Sequence, residues 1–172
     1  MGLPGFTFSS DAGLTLEDVR ASSALSERAF KTARDAFQMR VAEEKTRWVF
    51  RHRPETVNII KHRGTVIGFS FLVLTTRKIM KAFLSRKITE EGIFTLSKNV
   101  TARTFSAIYL CAAVVRPAFR GKGLAQQGFI KSIRKLMRNK KPVLFYWGYS
   151  PAGTKVAERI AAELKLPVLH LP

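Results

Sequence analysis

A chain of 172 residues is the size of one domain, and an apolar content of 46% with 13 Phe is enough for a packed core over residues 1–172. The lone cysteine, Cys111, excludes an internal disulfide framework and fits a reducing, cytoplasmic setting, and no run of about 18 uncharged apolar residues exists to span a membrane. The net charge of +18 falls wholly on residues 51–172, which carry 23 basic and 5 acidic side chains against 7 and 7 in the first fifty, so the field favours polyanions or a phosphorylated ligand.

FTFSS at 6–10 reads as a short edge strand. From Leu14 to about Val49 apolar residues recur every three or four positions (Leu16, Val19, Leu25, Ala29, Ala33, Phe37, Val41), which predicts helix, with a break near Ser22 or Ser26 able to divide it in two. The period then changes. Residues 57–76 predict two strands about a turn at His62–Thr65, and the second, Val66–Leu74, is apolar enough to be covered on both faces. Residues 77–106 are basic and only partly periodic; a helix at 78–86 and a short strand at 92–97 are the expectation for this insert.

AIYLCAAVV at 107–115 is a buried strand stopped by Pro117. A helix over about 123–138 follows, with Leu124, Gly128, Phe129, Ile133 and Leu136 inward and Lys131, Arg134, Lys135 and Arg138 outward. VLFYWGY at 143–149 is another buried strand. Ser150 then Pro151 opens a helix to about Lys165, and Leu166–Leu171 can form a last strand. The strand–helix–strand portion requires a parallel crossover in an α/β fold with a mixed, mostly antiparallel sheet.

Chemistry concentrates between the strand at 107–115 and the helix after it, in Val115-Arg116-Pro117-Ala118-Phe119-Arg120-Gly121-Lys122-Gly123-Leu124-Ala125. Glycines let successive backbone N–H groups converge, the helix start adds partial positive charge, and Arg120 and Lys122 add full charges. Neither a P-loop nor a dinucleotide-binding G-x-G-x-x-G pattern is present. The segment resembles the R/Q-x-x-G-x-G/A acyl-CoA signature of the GNAT acyltransferase superfamily, matched by Arg120, Gly123 and Ala125 and approached through Val115 and Pro117. The resemblance, which extends to element order over roughly residues 10–165, implies acetyl-CoA or another acyl-CoA as co-substrate. It implies that the backbone of Ala113, Val114 and Val115 pairs with the pantetheine arm, and that Gly121, Lys122, Gly123, Leu124, Ala125 and Gln126 wrap the pyrophosphate.

The implied reaction is transfer of an acyl group, most simply acetyl, to an amine of an unknown acceptor, for which the charge favours an acidic or polyanionic carrier. Some relatives place a glutamate base on the central strand, eleven residues before the motif, where this chain has Tyr109; many carry a tyrosine in the helix after the next strand, and residues 151–165 hold none. Tyr109 alternates in phase with Cys111 and Ala113, so it either relays a proton or packs. Ser150 reads as a helix cap or a hydroxyl near the reaction, and Glu158 as facing thioester or solvent. His52, His62 and His170 lack metal-ligand spacing, so no metal is expected. Lys131, Arg134, Lys135, Arg138, Lys140 and Lys141 form either a solvated face or a landing strip for nucleic acid or an acidic protein. The competing expectation is a GNAT-fold protein without catalysis that binds such a partner through this surface.

Overall fold

In the computed structural model, which describes residues 3–31 and 34–172, the apolar runs pair into a six-stranded sheet. Its strands, in both chain and spatial order, are β1 (Phe6–Phe8), β2 (Val57–His62), β3 (Thr65–Thr75), β4 (Ala107–Val115), β5 (Val143–Trp147) and β6 (Val168–Leu171). Pairings from β1 to β4 are antiparallel, and β4–β5 and β5–β6 are parallel, giving the mixed, mostly antiparallel sheet expected. The β2–β3 turn needs two left-handed residues, and Arg63 (φ 48°) and Gly64 (φ 81°) supply them.

Helices cover both faces: α1 (Ser9–Ala12), α2 (Leu16–Phe30), α3 (Glu43–His52), α4 (Arg77–Leu84), α5 (Glu90–Leu96), α6 (Leu124–Met137) and α7 (Pro151–Leu164). Strand alternation sorts the core between them. Ile59, Phe69, Val73, Tyr109 and Phe145 face α2–α5, whereas Leu72, Leu74, Ile108, Leu110 and Leu144 face α6 and α7. That double cover explains why β3 and β4 read as nearly continuous apolar runs. Two polar anchors set α6 against the sheet. Asn58, fully buried on β2, donates to the Gly128 carbonyl (3.0 Å) and accepts from the Ser10 N–H (3.3 Å). Gly128 itself lies so close to β3 that a Cβ there would stand 2.7 Å from Ser70 Oγ.

Three expectations need correction. The first helix ends at Phe30, where Lys31 turns left-handed (φ 50°), and the next starts at Glu43, so the break is not at Ser22 or Ser26; Ala33 of the expected stripe lies outside the described residues. Between the helices, N–H groups of Met39 and Arg40 bond the carboxylates of Glu90 and Glu91, so tertiary partners replace helical ones. Second, residues 92–96 belong to helix α5, with Ser97 as its cap, and form no strand. Thr89 accepts from the Gly92 N–H (3.2 Å) and Glu90 and Glu91 occupy the first turn, a helix start that outweighs the strand preference of Ile93 and Phe94. Third, Ala113 does not share a face with Tyr109 and Cys111. The β3–β4 register shifts so that Leu72 opposes Leu110 and Phe71 opposes Ala112, leaving Cys111 as an extra residue; beyond it Ala113 packs toward α6 and α7.

Candidate active site

The sheet opens at its centre. β4 and β5 pair only through Ala107, Ile108 and Tyr109 with Val143, Leu144 and Phe145. From Leu110 to Val115 the side of β4 turned toward β5 has no strand partner, and burial falls from complete to partial along the same stretch. Backbone polar groups there are available to a ligand that lies along the strand.

At the end of that open edge the chain makes a short 3₁₀ turn (Pro117–Phe119) and enters α6. The Arg116 N–H donates to the Ile67 carbonyl (2.8 Å) and Arg120 Nε to the Val115 carbonyl (3.0 Å), which fixes the loop to β3 and β4. Gly121 (φ 80°) and Gly123 (φ 71°) hold backbone conformations that side-chain-bearing residues resist, and nothing lies within 4 Å of where their Cβ atoms would be. Gly121, Lys122 and Gly123 are exposed, while Leu124 is buried beneath them. The 14-residue α6 starts at Gly123 with no side-chain cap and no acidic residue in its first turn. Its leading N–H groups and dipole are therefore open to an anion.

On the α2–α5 side of the sheet, beside the same opening, lies a cavity of ≈ 140 Å³. Its walls are mostly apolar, including Val49, Val57, Phe69, Phe71, Phe94 and Trp147. Among them stands the carboxyl group of Glu90, from the first turn of α5, in a residue 7% exposed. The Tyr109 hydroxyl donates to Glu90 Oε1 and the Met39 N–H to Oε2, both at 2.6 Å, with Cys111 Sγ 3.9 Å from Oε1. Burial pushes the Glu90 carboxyl above the ordinary carboxylate value, opposed by those donors. Burial, and then the neighbouring Glu90 charge, holds Tyr109 and Cys111 well above their usual values, so both stay protonated and Cys111 is no ready nucleophile. The arrangement can take up a proton at Glu90, whose carboxyl group the Tyr109 hydroxyl holds in place.

Of the candidates named from sequence, the structure brings Tyr109 to this cavity and leaves Ser150 and Glu158 outside its walls. Ser150 Oγ accepts from the Gly153 N–H (3.1 Å) as a helix cap, and Glu158 is exposed on α7. Tyr149, just past β5, does line the cavity. The basic run is largely engaged within the chain: Lys131 pairs with Asp11 (2.8 Å) and Arg134 with Glu163 (3.0 Å). Lys135 donates to the Ser10 carbonyl, and Lys140 to those of Arg103 (2.6 Å) and Phe105 (3.1 Å). Among the described residues no group of three His, Cys, Asp or Glu side chains is placed to hold a metal ion. No helix among them is long and apolar enough to cross a membrane.

Glu90 escaped the sequence reading. A signal was present: Glu90 and Glu91 are the only acidic residues between Glu55 and Glu158, and they follow a capping threonine.

No family model matches the chain, and no curated protein matches it in sequence. Solved structures do match. A proposed acetyltransferase from Salmonella typhimurium, solved with its cofactor acetyl-CoA, superposes with a TM-score of 0.51 at 15% identity, over 93% of this chain and 78% of that one. A ribosomal-protein-alanine N-acetyltransferase from Brucella melitensis biovar Abortus 2308 gives a TM-score of 0.51 at 14% identity, over 90% and 89%. At such identities the likeness speaks for architecture. With the sheet that opens between β4 and β5, it establishes that this chain has the fold of the GNAT acetyltransferases.

Proposed function

We propose that the protein is an acyl-CoA-dependent N-acyltransferase that moves an acetyl group to a primary amine. The observation that carries this reading is an order along β4: the cavity holding Glu90 is lined by its Tyr109, Cys111 and Ala112, its unpaired edge follows, and the uncapped N-terminus of α6 comes next in the chain. The residues present suit coenzyme A along that strand. Backbone N–H groups of Leu124, Ala125 and Gln126 with Lys122 would hold the pyrophosphate, and the free backbone of Ala113–Val115 the pantetheine amides.

Bound acetyl-CoA supplies an activated acyl group: the amine nitrogen bonds to the thioester carbonyl carbon, the carbon–sulfur bond breaks, and coenzyme A departs as a thiolate that takes a proton from solvent. Glu90 receives the proton that the amine loses. Its raised affinity for protons brings it nearer the working pH than an ordinary carboxylate, which favours proton acceptance. Tyr109 and the Met39 N–H orient the carboxyl group and share its charge. Helix α5 thus puts a carboxylate beside the strand position at which some GNAT relatives carry their glutamate, here Tyr109. The alternative, a non-catalytic nucleic-acid or acidic-protein binder, draws no support from a basic run whose Lys131, Arg134, Lys135 and Lys140 already have partners.

Titration calorimetry with acetyl-CoA tests the reading at fixed salt. Wild type should bind with micromolar affinity, and Gly123→Trp, which places a bulky side chain over the anion loop, should lose at least about tenfold. A folded wild type that binds no acetyl-CoA overturns it.

A further inference from the structure

The cavity beside Glu90 contains a polar atom that the fold itself does not use. Gln38 is 5% exposed and lines the cavity, and its Oε1 is buried with no hydrogen-bond partner among the described residues. Leaving a buried amide oxygen unpaired is costly, and folded chains rarely do so without a ligand or water to answer it. Gln38 adjoins Met39, whose N–H already sits on the Glu90 carboxylate. A side-chain amide with an unanswered acceptor and a carboxyl group that takes a proton therefore both stand in the wall of one mostly apolar space.

We infer that this cavity is the acceptor site and that it takes a primary amine with an apolar body of about phenyl size, the Gln38 amide turning inward so that its Oε1 receives one amine N–H while Glu90 takes the transferred proton. The inference rests on the acyltransfer reading and names the substrate class of that site. Size follows from volume: ≈ 140 Å³ is close to the roughly 150 Å³ cavity that admits benzene in another protein. Polarity follows from the walls, where Val49, Val57, Phe69, Phe71 and Phe94 would meet the body of the ligand. An extended acyl tail is the poorer occupant. It has no N–H for Gln38 and would press methylenes against the Glu90 carboxyl group. Polyamines are poor occupants too. Arg40 and Lys45 stand at the cavity's wall in a chain of net charge +18, so a second ammonium group meets like charge and no second carboxylate within.

The test follows thiol release from acetyl-CoA with a panel of amines: methylamine to octylamine, benzylamine, and the diamine putrescine. For wild type, kcat/KM should rise roughly threefold to fourfold per methylene up to about six carbons or a phenyl ring, then stop rising. Putrescine should fall at least about tenfold below butylamine, which has the same carbon chain. Gln38→Met, of similar shape without the amide oxygen, should lose about tenfold in kcat/KM on every amine while binding acetyl-CoA as wild type does. Val49→Phe, which fills the cavity, should move the optimum to shorter amines. A flat series, a preference for putrescine, or acetyl-CoA binding without turnover of any apolar amine overturns the inference and leaves the coenzyme site standing. Failure to bind acetyl-CoA removes the reading beneath it as well.

Discussion

The glycine loop and the Glu90 cavity are two ends of one proposed site, built in opposite ways. The loop is local and exposed, and its chemistry is backbone: Gly121 and Gly123 in left-handed conformations, uncapped N–H groups, and Arg120 folded onto the carbonyl of Val115 only five residues back. The cavity is buried and its chemistry is side-chain: Glu90 meets Met39 across 51 positions and Tyr109 across 19. One end recognises an anion through geometry that any contiguous segment of the right residues can make. The other places a proton acceptor in a dry environment, which only tertiary packing provides.

If the two ends are separable, damage to one should leave the other intact. The largest effect expected is from Glu90→Gln. Glutamine can still accept from the Met39 N–H and donate to the Tyr109 hydroxyl oxygen, so folding should survive. Transfer should fall by about a hundredfold or more in kcat, with acetyl-CoA affinity unchanged by calorimetry. The same variant should lose the rise of activity with pH. Because the folded Glu90 holds its proton more tightly than the unfolded chain does, its contribution to stability is present below the ordinary carboxylate range and is lost as pH rises through the raised value. Thermal melts should therefore show Glu90→Gln gaining on wild type as pH increases across that window.

Next in size is Gly128→Ala, which joins the two ends through α6. The added methyl group meets Ser70 Oγ at 2.7 Å and Ser70 Cβ at 3.3 Å, so Ser70 must turn its hydroxyl away and the helix carrying the anion loop must ease off β3 by a few tenths of an ångström. Denaturant unfolding should show a loss of about 1–3 kcal/mol, with weakened acetyl-CoA binding. The smallest effect is Tyr109→Phe. Its hydroxyl favours the ionised carboxylate, so removing it raises the Glu90 proton affinity further and moves the ascending limb of the pH–rate profile upward. A limb that moves down would contradict the assigned role of Tyr109 as a positioning residue.

The same contrast governs what could be read without coordinates. Strands β2 to β5, the turn at Arg63-Gly64, the Ser150 cap and the start of α6 announce themselves through period, glycine and capping chemistry confined to a few residues. The loop 116–125 belongs to that class. The segment 77–106 does not, because the strand preference of Ile93, Phe94 and Thr95 runs against the cap and acidic turn at 89–91, which prevail in a helix that buries Ile93 and Phe94 in the core. The end of α2 at Phe30 was hidden for a related reason, seen in Met39 and Arg40 ahead of α3. Their backbone groups are answered by Glu90 and Glu91, more than fifty positions away and invisible to any local pattern. The extra residue at Cys111 likewise changes which face Ala113 presents, and nothing in AIYLCAAVV marks it.

The central claim, that a coenzyme A thioester lies along the open edge of β4 between the loop and the cavity, is tested most directly by amide hydrogen exchange with and without acetyl-CoA. The account predicts slowed exchange at 121–126 and at those N–H groups of residues 111–115 that point away from β3, with Ala107–Tyr109 unchanged because strands on both sides already protect them. Acetyl-CoA that binds and protects some other surface, leaving 111–115 exchanging as before, would contradict it.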